Sequence, residues 1–119
     1  MAETGDPAER LGDIHMSIAS VLLRLAGDTR ITTATTIHVG VALGRHANPD
    51  GLVGTDADGR SMSDPRNVAA VLGYGTSTAA KALTELERKG YIEYRRPTGH
   101  EKRHGITGKV RFILSHAQS

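Results

Sequence analysis

Residues 68–94 read VAAVLGYGTSTAAKALTELERKGYIEY, and the order of breaks in this stretch decides the fold. Val68, Ala69 and Leu72 recur at helical spacing until Gly73-Tyr74-Gly75 interrupts them. Thr76 is placed to cap a further helix, which runs to about Lys89 with Ala79, Ala80, Leu83 and Leu86 facing in. Gly90 stands where a left-handed helix terminator is expected. Beyond it the apolar period drops from about 3.6 residues to about 2, and Ile92 and Tyr94 share one face of a strand. A short helix, a tight glycine turn, a capped helix and then a strand predict a helix-turn-helix leading into β-structure.

Working upstream, Ser63-Asp64-Pro65 supplies a capping hydroxyl, an acid and a proline for the start of the short helix. Residues 48–62 are rich in Gly and Asp and read as a loop holding one short strand at most. A helix from about Thr33 to Ala47, capped by Thr32 or Thr33, offers Ile37, Val41 and Leu43. It stops at the turn residues Asn48-Pro49-Asp50-Gly51. Another helix is predicted from Ala8 to Ala26, with Leu11, Ile14, Ile18, Val21, Leu22 and Leu25 as one stripe and Gly27-Asp28 as its end. Residues 1–7 and 116–119 read as flexible ends. Downstream, Val110, Phe112 and Leu114 alternate along a second strand. Arg95 to Gly108, with Pro97, Gly99, Gly105 and Gly108, makes the intervening hairpin tip long and mobile.

With 119 residues, 38% hydrophobic and 24% charged, the chain suits one globular domain. The sequence divides it into a flexible 1–7, an N-terminal helix 8–27, a main domain 30–115 and a tail 116–119. No apolar run nears the ~20 residues of a membrane span. The polar start MAETGDPAER does not read as a secretory signal. There is no cysteine, which excludes disulfides, thiol nucleophiles and thiolate zinc sites. The expected location is the cytoplasm. Charge is divided unequally. Residues 1–64 carry five Arg against nine Asp or Glu, net −4, whereas 65–119 carry ten Lys or Arg against four Glu, net +6. That asymmetry points to a polyanion on one side of the molecule. The aromatics Tyr74, Tyr91, Tyr94 and Phe112 are too few for a base-stacking platform.

With HANPDG (46–51) and the quoted stretch together, the chain resembles the winged helix-turn-helix domains of bacterial, plasmid and phage regulators and replication initiators. The family pattern is L-A…G-(S/T)-x-x-T-V-x-x-x-L-x-x-L-x-x-x-G-(L/Y)-I, and the resemblance covers about residues 33–114. The chain departs from it at Ala79-Ala80, where the family has Thr-Val, and in the long Asp/Gly loop 50–60. The implied fold is mainly α with a small β-hairpin wing, here with an extra N-terminal helix. The implied activity is binding of double-stranded DNA.

The residues support the same reading separately. Ser77, Lys81, Thr84 and Arg88 lie on one face of the 76–89 helix, with Thr78 beside them. A helix entering the major groove reads bases near its N-terminus. Ser77, Thr78 and Lys81 are therefore assigned to bases or nearby phosphates, Thr84 to a phosphate and Arg88 to the groove edge. The Thr76 end offers free backbone N–H groups to a phosphate. The wing supplies Arg95, Arg96, Lys102 and Arg103, with Lys109 and Arg111 on the returning strand, for flanking backbone or minor groove. The N-terminal stripe (Leu11, Ile14, Ile18, Leu22, Leu25) is assigned to a homodimer interface, the alternative being packing on its own domain.

His100-Glu101-Lys102-Arg103-His104 matches H-E-x-x-H, a zinc-hydrolase motif that requires a helix. Five residues between Pro97, Gly99 and Gly105 are not expected to form one, which leaves adventitious metal binding at most. Calcium-loop and P-loop spacings fail as well. The sequence reading is a dimeric, DNA-binding transcriptional regulator with no enzymatic activity, metal, cofactor or small-molecule ligand. The alternatives are a plasmid or phage replication or partition protein on repeated sites, and a protein–protein adaptor that has kept the fold without DNA.

Overall fold

The computed structural model describes residues 13–106 and 108–117, with side chains from 16 to 106 and from 108 to 115. The elements run β1 (Asp13–His15), α1 (Ile18–Ala26), α2 (Ala34–Arg45), α3 (Pro65–Leu72), α4 (Thr76–Arg88), β2 (Ile92–Arg95), α5 (Gly99–Arg103), β3 (Lys109–Phe112) and β4 (Ser115–Ala117). The architecture is mainly helical, with five helices among the described residues and a small antiparallel hairpin of β2 and β3. Tyr94 pairs with Val110 and Arg95 with Lys109 in that hairpin.

The N-terminal helix is shorter than predicted. Residues 13–15 form a strand antiparallel to 115–117, so the expected flexible tail is paired at least as far as Ala117. Ser17 then starts α1, its hydroxyl accepting the Ser20 N–H at 3.1 Å. The predicted dimerisation stripe is largely used within the chain. Val21 and Leu25 are buried, and Ile18 and Leu22 are half-buried against the same core. Leu11 and the Ile14 side chain lie outside the described residues. Burial of these apolar side chains drives the inward packing, and Gly40 gives it room. A Cβ there would collide with Leu25 Cδ2, so a larger residue would force the Leu25 side chain to shift. Helix α1 thus contributes Val21 and Leu25 to the core of the domain.

The core joins Val39 and Leu43 of α2, Val68 of α3, Ala79 and Leu86 of α4, and Ile92, Val110 and Phe112 of the hairpin. Loop 48–62 packs onto the domain between α2 and α3. Its Val53 and Met62 are buried in the core. Val53 donates to the Val110 carbonyl at 2.9 Å while Phe112 donates to the Gly51 carbonyl at 2.8 Å, so residues 51–53 lie along β3. The remainder closes on itself, with Asp56 accepting from the Asp58 and Arg60 backbones.

Two caps differ from expectation. Asp64, not Ser63, caps α3, because the Ser63 hydroxyl is buried and accepts the Val110 N–H at 2.9 Å. Gly75, not Thr76, occupies the N-cap of α4, with no side-chain cap. The predicted terminator Gly90 does adopt φ +84°, and Tyr91 N–H closes the helix on the Leu86 carbonyl at 2.9 Å. Tyr91 itself is buried. Its hydroxyl donates to Asp28 Oδ2 at 2.6 Å, fixing the start of β2 to the segment after α1. Arg30 clamps the same carboxylate and holds it far below the usual range, with the Tyr91 bond adding to the effect.

Candidate nucleic-acid interface

Helix α4 divides its surface cleanly. Ala79, Ala82 and Leu86 are buried, whereas Thr76, Ser77, Thr78, Lys81, Thr84 and Arg88 are all exposed. Ala80 and Leu83, expected to be buried, are only half-covered. They line a recess of about 210 Å³ with Thr84 and Glu87 of α4 and with Ile92, Tyr94 and Arg96 of the β2 segment. Thr78 and Lys81 also border a small hollow with Thr33, Thr35 and Thr36 at the start of α2. Thr36 is buried and donates to Glu85 Oε1 at 2.7 Å, which fixes the packing of α2 on α4. Thr84 spends its hydroxyl proton on the Ala80 carbonyl at 3.0 Å, leaving its oxygen only as an acceptor. Its predicted phosphate contact would therefore require that bond to break.

Because Gly75 brings no side-chain cap, the backbone N–H groups of Thr76, Ser77 and Thr78 at the start of α4 face outward without an intrahelical partner. No acidic residue occupies that first turn.

The hairpin cations are not equivalent. On its outer face, β2 and β3 set Glu93 opposite Arg111 and Arg95 opposite Lys109. Arg95, Lys109 and Arg111 line a shallow concavity of about 530 Å³ with Leu52 and Glu93. Like charges facing each other across strands repel, and Arg95 is neutralised by Glu101. Its Nη1 and Nη2 lie 3.1 and 3.3 Å from the two carboxylate oxygens. Arg111 donates to the Asp50 carbonyl at 3.3 Å. Arg96 lies over the Tyr94 ring, 5.4 Å from its centroid. Lys102 and Arg103 are exposed at the tip.

The tip is ordered differently from the sequence expectation. Gly99–Arg103 is a helical turn, α5. Pro97 and Gly105 flank this turn rather than interrupt it. Thr98 accepts the Glu101 N–H at 3.1 Å, and the Glu101 side chain accepts the Thr98 N–H at 2.9 Å. The signal for this reciprocal capping box is Thr98-x-x-Glu101. At the other end Gly105 adopts φ +74°. Its N–H reaches the Lys102 carbonyl at 3.0 Å and that of Ile106 reaches Glu101 at 2.8 Å, the double closure that terminates helices. The Arg95 guanidinium and then the Thr98 N–H draw the Glu101 carboxyl down to about 2.

Sequence reasoning does not single out Arg66. In the first turn of α3, it lines a recess with Lys102, Tyr94 and Ile106. Asp64 Oδ2 pairs with it at 2.8 Å, and that hydrogen bond lowers the Asp64 carboxyl below its usual range. No helix among the described residues is long and apolar enough to cross a membrane. Comparison with family models, with curated proteins and with solved structures finds no match.

Proposed function

We propose that the chain is a winged helix-turn-helix protein that binds double-stranded DNA and regulates transcription, with α4 in the major groove and the β2–β3 hairpin as its wing. One observation carries the reading. The uncapped N-terminus of α4 and the exposed row Ser77, Lys81, Thr84 and Arg88 form a surface of hydrogen-bonding and cationic groups without large apolar side chains. Beside it, across the recess lined by Thr84 and Arg96, stands the hairpin with Arg96, Lys102 and Arg103. Base edges present donors and acceptors to such a row, while phosphates answer to the cations and to the helix end.

The test is fluorescence anisotropy of a labelled random-sequence duplex, titrated with protein at several salt concentrations. Binding that weakens steeply with salt is expected. Absence of binding at low salt would overturn the proposal and leave the adaptor alternative.

A further inference from the structure

The turn α5 places His100 and His104 one helical turn apart on the same side, with ring centroids 4.4 Å apart and ring planes inclined by 42°. Both rings are exposed. His104 Nδ1 lies 2.9 Å from the His100 carbonyl oxygen. A carbonyl only accepts, so Nδ1 carries the proton and the neutral ring keeps its free lone pair on Nε2. Histidines that bind metals are commonly held this way, one ring nitrogen donating to a backbone carbonyl while the other faces the ion. Glu101, between them, is committed to Arg95 and Thr98 and is not free to act as a base or a ligand.

We propose that His100 and His104 form a two-imidazole site for a late first-row divalent metal ion at the tip of the hairpin, with Cu²⁺ held more tightly than Zn²⁺. Imidazole suits both ions, and their ranking follows the general affinity order for such ligands. Among the described residues no group of three or more His, Cys, Asp or Glu is placed to hold an ion. The two histidines therefore leave the other coordination positions to water, and the site differs from both a closed structural zinc centre and a zinc hydrolase. The neighbouring cations Lys102 and Arg103 are exposed and oppose the ion through solvent, which lowers its affinity. An ion bridging the ends of α5 would pin a turn too short to be stable alone.

The experiment titrates the intact protein at neutral pH with Cu²⁺ against a competing weak chelator, read by visible absorption and electron paramagnetic resonance. One equivalent is expected. His100→Gln and His104→Gln should each lower affinity about tenfold or more. The combined change His15→Gln, His38→Gln, His46→Gln and His116→Gln should leave binding like the parent's. With Zn²⁺, the imidazole proton resonances of His100 and His104 should move together, and the Gly105 and Ile106 amides should exchange more slowly. Weak binding shared among all the histidines, or a tight ion that survives the His100→Gln/His104→Gln double change, would sink the proposal. Thermal melts of all these variants separate loss of the site from loss of the fold. Failure here leaves the DNA reading intact, since no DNA enters the assay.

Discussion

Arg95 and Glu101 form a two-pronged ion pair across the base of the hairpin tip, at 3.1 and 3.3 Å. The same carboxylate completes the capping box of α5 by accepting the Thr98 N–H. One side chain thus starts the helical turn, anchors it to β2, and removes a cation from the surface that would meet phosphate.

The pair makes the tip sensitive to acid. The Glu101 carboxyl falls from its ordinary 4.5 to about 2 in the folded chain. A depressed carboxyl stabilises the fold in full above its unfolded value and loses that contribution as pH drops through the folded one. The tip should therefore loosen between about pH 4.5 and pH 2. Exchange rates of the Glu101 and Ile106 amides check this; protection unchanged down to pH 2 would contradict it.

Salt dependence of DNA binding should distinguish the hairpin cations. Replacing Arg96, Lys102 and Arg103 together with Ala should reduce the slope of log affinity against log salt by roughly 0.9 for each phosphate no longer neutralised. Arg95→Ala should reduce it by less, because Glu101 already neutralises that charge. Equal slopes for all variants and the parent would place the hairpin away from DNA.

Lys81→Ala should weaken binding to a selected site more than to random duplex, with a specific loss of about 1–3 kcal/mol if the side chain reads a base. Competition titrations on both DNAs measure the difference. An equal loss on the two would reassign Lys81 to a phosphate.

Leu25→Ala should destabilise the chain by about 2–5 kcal/mol, the usual cost of emptying a buried leucine site, since Leu25 is fully covered by the chain's own core. Urea unfolding measures the cost. A change of mass in solution with unchanged stability would return this stripe to an intermolecular role.

Gly40→Ala sets two effects against each other. Alanine improves helix propensity by about 1 kcal/mol, but its Cβ would collide with Leu25 Cδ2 in a packed interface, where overpacking costs about 1–3 kcal/mol. Net destabilisation is expected from the same urea measurement.

Features that rest on neighbours along the chain can be read from the residues alone. Apolar periodicity locates α2, α3, α4 and both hairpin strands, because a buried face repeats with the geometry of its element. Gly90 ends α4 because a left-handed residue is a local requirement. Thr98-x-x-Glu101 is equally local, yet Pro97 and Gly105 look like breakers along the chain and act as boundaries of α5 in the fold. Other features arise only when distant segments meet. The α1 stripe packs into the domain core, where Gly40, on another helix, leaves room for Leu25. Ser63 gives up a capping role for a strand N–H 47 residues away. Arg95 is a free cation along the chain, and folding brings Glu101 to it. Packing partners and charge partners are chosen by the folded chain, whereas local pattern reaches only residues within a turn or two.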